Sequence, residues 1–170
     1  FDVSVILPFA DDEDVIGTAV RRVSTHLREY GASFEIIAVD EDSGDNSHAV
    51  LALLRKDVEE LRIASAPGRG RGFAQGAQRA RGKALWLIEP RATLGPLAPF
   101  GRAHRRVSRG ELDAAVVGNR FAVVHRTRML PVLDGVRGIG AGFLKRIGKR
   151  AASRGRSVEM QVIGGSAGPT

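Results

Sequence analysis

Cysteine is absent from this 170-residue chain. A disulfide framework and a thiolate metal site are excluded with it, and nothing points to secretion. Aromatics are scarce: seven Phe, one Tyr and one Trp leave little from which to build the stacking platforms that nucleic-acid readers use. No apolar run approaches the roughly 20 residues that span a bilayer. The N-terminus has neither the basic start nor the apolar core of a signal peptide, so a soluble, cytoplasmic-side protein is the expectation. The missing initiator Met and the Gly-Gly-Ser-Ala-Gly-Pro-Thr tail suggest a trimmed piece of a longer chain.

Acidic residues are also scarce after residue 60, and this shortage matters more than the net charge of +7. Residues 1–60 hold 14 Asp/Glu and 5 Lys/Arg, whereas residues 61–170 hold 5 Asp/Glu and 21 Lys/Arg. A basic surface of that kind attracts phosphates, whether of nucleic acid, anionic lipid or a sugar diphosphate; its alternative is a solvated Arg-rich face. Within the chain, 43% of residues are hydrophobic and 26% charged, which suits one compact domain, expected over 1–163, with a flexible tail over 164–170.

Apolar spacing along the chain alternates between strand and helix periods. Strands are expected at 3–8, 34–39, 61–64, 84–88, 114–117 and 158–162, with a further apolar stretch at 121–124. Helices are expected at 13–30, 47–54, 72–81, near 98–108 and around 142–154, with Asp11, Asp12 and Asp14 placed to cap or favour the first. Repeated strand-then-helix units imply a mostly parallel sheet covered on both faces, a three-layer α/β/α sandwich. Trp86, inside an apolar strand, reads as core. His26, His48, His104 and His125 show no metal-ligand spacing and read as surface or helix-packing residues. Ser43 lacks a nucleophile-elbow pattern. The segment from Arg102 to Arg109 is either a basic face for phosphate or anionic lipid, or a solvated one.

The most informative run is Ile36-Ile37-Ala38-Val39-Asp40-Glu41-Asp42-Ser43-Gly44-Asp45. A buried strand that breaks into carboxylates is how an open α/β sheet places polar groups in the crevice at its carboxyl edge. With the opening Val5-Ile6-Leu7-Pro8-Phe9-Ala10-Asp11-Asp12-Glu13 and the turn Gly68-Arg69-Gly70-Arg71-Gly72, the run resembles family 2 glycosyltransferases of the GT-A fold. Gly70, Gly76 and Gly82, six apart, are similar to the dolichol-phosphate mannosyltransferase-like branch. The resemblance covers about residues 3–162.

That resemblance implies a nucleotide-binding set of Pro8, Asp11, Asp40, Asp42, Arg69 and Gly70. Asp40 matches the acid that binds the base, and a carboxylate there accepts an imide or amino N–H. Glycines in the turn are expected to let the backbone approach a nucleotide. A purely structural reading of Asp42, Ser43 and Asp45 is an Asx turn with an N-cap. Counting on from Gly82, the family's metal-binding Asp-x-Asp falls on Glu89-Pro90-Arg91. Glu89 retains one oxygen ligand for Mg²⁺ or Mn²⁺, but Arg91 cannot bind a metal. A guanidinium there either pairs with the diphosphate itself or marks a decayed site.

Leu144 and Arg146 fall where the family carries acids, and the long acceptor-binding insertion is almost absent. The implied function is transfer of a sugar from a nucleoside diphosphate donor to a lipid-phosphate or polysaccharide acceptor, peripheral to the membrane. The alternative is a non-catalytic nucleotide- or partner-binding module on the same fold. Nucleic acid is disfavoured as a partner. Asp40, Gly70 and Glu89 are expected to converge at the carboxyl edge of the sheet.

Overall fold

The computed structural model describes residues 1–66, 68–138 and 140–161. The expected tail over 164–170 and the last residue of the expected strand 158–162 lie outside them. In chain order the elements are β1 (Val3–Phe9), α1 (Ile16–Tyr30), β2 (Phe34–Asp40), α2 (Ser47–Leu54), β3 (Leu61–Ser65), α3 (Gly72–Arg79) and β4 (Ala84–Ile88). A 3-10 turn (Pro90–Leu94) follows, then α4 (Pro99–Ser108), β5 (Ala114–Val117), β6 (Phe121–His125), α5 (Arg126–Asp134), α6 (Gly140–Ser153) and β7 (Val158–Gln161).

The strands form one sheet in the order β3-β2-β1-β4-β6-β5-β7. Strand β1 runs parallel to β2 and β4, β2 parallel to β3, and β5 parallel to β7; β6 lies antiparallel between β4 and β5. The apolar stretch at 121–124 is thus the strand that breaks the parallel pattern. Only Gly118, Asn119 and Arg120 separate β5 from β6, too few for a crossover, so the chain turns back as a hairpin.

Strand alternation divides the core into two layers. Val3, Val5, Leu7 and Phe9 of β1, with Ile36, Ala38, Trp86 and Ile88, face α1, α2 and α4. Ile6, Ile37, Val39, Leu85 and Leu87 face the side covered by α3, α5 and α6. Trp86 is fully buried and stacks on Phe100 with ring centroids 4.1 Å apart, as expected of a core residue. At the amino edge, buried Glu35 accepts from Ser4 Oγ at 2.7 Å, Arg62 at 2.6 Å and the Arg81 N–H at 2.8 Å. Ser4 Oγ in turn accepts the Gly82 N–H at 2.7 Å. This satisfied polar cluster fixes the chain entering β4, whose far end carries Glu89.

Helix α1 begins three residues later than expected, at Ile16, with Val15 at its N-cap and no side-chain cap. Asp11, Asp12 and Asp14 are consumed elsewhere, by the loop contacts described next. Among the described residues no helix is long and apolar enough to cross a membrane.

Candidate functional site

Parallel pairing fixes which loops meet. Phe9 is level with Asp40, Pro8 with Val39, and Ile6 with Leu87, so the chain leaves β1, β2 and β4 at one carboxyl edge. The loops after β1, β2 and β4 and the Gly-rich turn before α3 therefore surround a common space, the crevice position of open α/β sheets.

The acidic loop after β2 is built by its own carboxylates. Asp40 Oδ1 accepts the Ser43 N–H at 2.8 Å, and its Oδ2 lies 3.4 Å from His48 Nδ1. Glu41 is buried, 3% exposed, and its Oε2 accepts the N–H groups of Gly70 at 2.9 Å and Gly72 at 2.7 Å. Asp42, with φ +64°, accepts the Gly68 N–H at 2.7 Å. Asp45 accepts from both the N–H and Oγ of Ser47, at 2.9 and 2.6 Å, and from the Glu13 N–H at 3.1 Å. The Asp45–Ser47 bonds are Asx-type, the structural reading of Asp45, whereas Asp42 reaches across to the Gly-rich turn and α2 has Asn46 at its N-cap with no side-chain cap. The Ser47 hydrogen bond is the largest influence holding the Asp45 carboxyl below its ordinary range.

Across from it, the loop after β1 places Asp11 at φ +55°, its Oδ1 accepting the Gly44 N–H at 2.7 Å. Asp11 Oδ2 pairs with Arg69 of the Gly-rich turn at 2.9 Å. Asp14 pairs with Arg91 at 2.9 and 3.2 Å. Asp12 accepts the Ala10 N–H at 3.0 Å; burial raises its pKa above the ordinary carboxyl value, and Asp14 and Asp45 nearby act in the same direction.

Between these loops is a cleft of about 230 Å³, lined by Pro8, Phe9, Ala10, Asp12, Glu41, Arg69, Glu89, Pro90 and Arg91. Of the expected nucleotide set, Pro8 and Arg69 line the cleft, together with Glu89 and Arg91. Asp40, Asp11, Asp42 and Gly70 sit in the surrounding loops and are not part of the lining. Asp12, read in the sequence only as a helix-capping residue, and Glu41, given no role there, also line it; the signal was in the acidic positions directly after Asp11 and Asp40.

Two of the three glycines spaced six apart have a packing role. A Cβ on Gly76 would lie 2.5 Å from Ile6 Cγ2, and one on Gly82 would lie 2.5 Å from the Ser4 backbone N. Both are required for packing of the chain on β1. Gly70 is the one with a positive φ, +90°, and its carbonyl accepts the Gly138 N–H at 2.9 Å.

Two guanidinium groups beside this cleft can engage the oxygens of a diphosphate, geometry for which Arg is well suited. Both are held by exposed carboxylates, and exposed ion pairs contribute little, so an exchange of Asp11 or Asp14 for a phosphate is inexpensive. The same residues do not fit a divalent ion. Glu89 is followed two residues later by a cation rather than a second acid, and Glu41 is committed to the Gly70 and Gly72 N–H groups. Among the described residues no three His, Asp or Glu side chains are grouped to hold a metal.

Comparison with known proteins gives the same architecture. A family model described as "Glycosyl transferase family 2" matches residues 4–89. No curated protein sequence matches the chain. A mannosyltransferase from Pyrobaculum calidifontis, determined with GDP-Man and Mn²⁺, superposes with a TM-score of 0.75 at 14% identity, covering 95% of this chain and 55% of its own. Glucosyl-3-phosphoglycerate synthase from Mycobacterium tuberculosis, determined with Mn²⁺, UDP and glucosyl-3-phosphoglycerate, gives 0.61 at 13% identity, with coverages of 95% and 70%. TarS of S. aureus (residues 1–349) gives 0.63 at 11% identity, with coverages of 86% and 55%. The fold is of the GT-A, nucleotide-diphospho-sugar transferase type, and the chain spans about half the length of the mannosyltransferase it matches.

Proposed function

The chain belongs to glycosyl transferase family 2, and from that premise we propose that residues 1–163 form one donor-binding domain for a nucleoside diphosphate sugar. The observation that carries the reading is the carboxyl-edge cleft, where Arg69 and Arg91 stand beside Glu89. In this reading Asp40 Oδ2 accepts an N–H of the base, while its Oδ1 stays with the Ser43 N–H. Pro8, Asp11, Asp42 and Gly70 shape the walls. An acceptor phosphate oxygen, already deprotonated at neutral pH, attacks the anomeric carbon, the bond from that carbon to the diphosphate oxygen breaks, and charge on the departing diphosphate is taken by the two guanidinium groups; a hydroxyl acceptor would pass its proton to the departing diphosphate. No step is assigned to a metal.

The spacing of Gly70, Gly76 and Gly82 favours the dolichol-phosphate mannosyltransferase-like branch, hence a lipid-phosphate acceptor and a protein working at the membrane surface. A polysaccharide acceptor is the other candidate. One observation favours a second reading, a nucleotide- or partner-binding module without turnover: Glu89-Pro90-Arg91 stands where the family carries Asp-x-Asp.

Thermal-shift measurement against GDP- and UDP-sugars, with and without Mn²⁺, tests the shared premise, because a ligand that binds only the native state raises apparent stability. Stabilisation by one donor is the expected result, and no shift at millimolar donor overturns both readings. Sugar release or transfer by the same sample then separates enzyme from module.

A further inference from the structure

A second, larger cavity of about 340 Å³ opens at the opposite edge of the sheet. Asp2 and Lys83 precede β1 and β4, and His125 ends the antiparallel β6 level with Ala84, so all three come to the amino edge of the parallel strands. His104 and Ser108 from α4 close one side, and Arg126 and Thr127 at the start of α5 close another.

Its walls are fixed by backbone bonds. The Lys83 N–H donates to the Phe1 carbonyl at 3.1 Å, the Ala84 N–H to the Asp2 carbonyl at 3.1 Å, and the Arg126 N–H to the Lys83 carbonyl at 3.1 Å. Arg126 Nε donates to the Gly82 carbonyl at 2.7 Å. The guanidinium is thereby oriented, yet neither it nor the Lys83 ammonium makes an ion pair among the described residues.

Hydrogen bonding also sets what the imidazoles present. His125 Nδ1 accepts the Arg128 N–H at 3.3 Å, so the proton of the neutral ring is on Nε2. Ser108 Oγ donates to the His104 carbonyl at 2.7 Å and lies 3.2 Å from His104 Nε2. The serine proton is thus spent, and His104 Nε2 is the donor to it, leaving Nδ1 to accept from Tyr30 OH at 2.8 Å. The one carboxylate in the lining, Asp2, accepts the Ser33 N–H at 3.0 Å. What remains is a lining dominated by donors: an ammonium, a guanidinium and the His125 Nε2–H, while the Thr127 hydroxyl donates to His125 Nδ1 at 3.3 Å.

We propose that this cavity is a second ligand site, which takes the phosphate of a small phosphomonoester between Lys83, Arg126 and His125. A cavity of this volume suits a small metabolite, and charged donors are the groups that bind phosphate oxygens most strongly. The site is independent of the donor cleft, which occupies the other end of the strands. Burial lowers the pKa of both His104 and His125, so both rings are neutral near pH 7 when the cavity is empty of anion. Asp2 opposes the shift at His104 and Arg105 adds to it; at His125, Arg128 and Arg126 add to it while Asp113 opposes it. A bound dianion favours the imidazolium, and binding strengthens as pH falls.

The four histidines provide the experiment. His104 and His125 line the cavity, His48 lies beside Asp40 at the other edge, and His26 packs on Trp86. Imidazole ¹H–¹⁵N spectra of the whole chain are recorded during titration with methyl phosphate, and with sulfate, whose charge is fixed across the range used. The expected result is saturable movement of His104 and His125 with one dissociation constant, His48 and His26 unmoved, and sulfate binding tighter near pH 6 than near pH 7.5. The exposed Lys83→Gln variant, whose backbone contacts are retained, should weaken binding by roughly tenfold. Linear drift of all four rings, saturation reported by His48 instead, or unchanged affinity in Lys83→Gln overturns the proposal.

Discussion

The buried carboxylate of Glu41 accepts the backbone N–H of Gly72 at 2.7 Å. The same oxygen accepts the Gly70 N–H, so one side chain at the end of β2 anchors the turn that carries Arg69 to the cleft. Removing it leaves two N–H groups unsatisfied. Glu41→Ala should destabilise the fold by about 1.5–3 kcal/mol, the range for hydrogen bonds to a charged group, while Glu41→Gln, which keeps an acceptor oxygen, should lose less. Urea unfolding of the two variants checks this; an alanine variant as stable as wild type would mean the turn is anchored otherwise.

The β–α alternation, the two-sided burial of the strands and the edge at which Asp40 and Glu89 emerge were legible in the sequence. Long apolar strands carry that information in every residue. The division of labour inside the acidic loop was not legible. Asp40, Glu41 and Asp42 are adjacent carboxylates, and which one turns inward is decided by Gly70 and Gly72, some thirty residues away. For the same reason Asp12 and Asp14 could be read as capping the first helix, when the fold had other partners for them: the Ala10 N–H for Asp12 and the Arg91 guanidinium for Asp14. The antiparallel β6 was missed as a direction, since apolar run length does not encode polarity of pairing.

Packing of α3 and the following turn on β1 yields a second prediction. A methyl group at residue 82 would meet the Ser4 backbone N at 2.5 Å and the Val3 carbonyl carbon at 2.6 Å. Both atoms belong to the Val3–Ser4 peptide of β1, and backbone cannot rotate away as a flexible side chain does. Gly82→Ala should therefore cost about 1–3 kcal/mol or more, whereas Gly31→Ala, with open space around its Cβ position, should show only the strain of a positive φ. Thermal melts of the two variants compare them directly; equal losses would remove the close-approach argument.

Two carboxyl groups should respond to pH with opposite sign. For Asp113, burial pushes the pKa up, but the Arg128 guanidinium at 3.0 Å and the Ser157 N–H at 3.1 Å outweigh it, and the net shift is down. Its contribution to stability is present above the unfolded value near 3.8 and is lost as pH falls through the lower folded value. Asp12 is raised by burial, so its favourable contribution is present below the unfolded value and is lost as pH rises through the folded one. Asp113→Asn should be less stable than wild type at neutral pH and converge on it in acid. Asp12→Asn, which keeps an acceptor for the Ala10 N–H, should be the more stable protein at neutral pH and lose that advantage below about pH 4. Denaturation midpoints measured from pH 3 to 7 decide both; parallel profiles for the three proteins would contradict the assignment.

The last prediction concerns Arg91, whose exposed guanidinium bonds both oxygens of Asp14 beside the cleft. If it takes the place of an ion against the diphosphate, donor binding should be insensitive to EDTA in the wild type. Arg91→Ala should then weaken nucleoside diphosphate binding by roughly tenfold or more, as expected for loss of a charge-assisted contact, while a nucleoside lacking phosphates binds both proteins alike. Arg91→Asp restores the second acid after Glu89 and should convert binding to a Mn²⁺-dependent form, because two carboxylates two residues apart supply hard oxygen ligands. Calorimetric titrations of the three proteins, each with Mn²⁺ and with EDTA, distinguish the cases. Strong Mn²⁺-dependent binding by the wild type would show that the metal position lies elsewhere in the cleft, and that Arg91 serves only to hold Asp14 and the loop after β1.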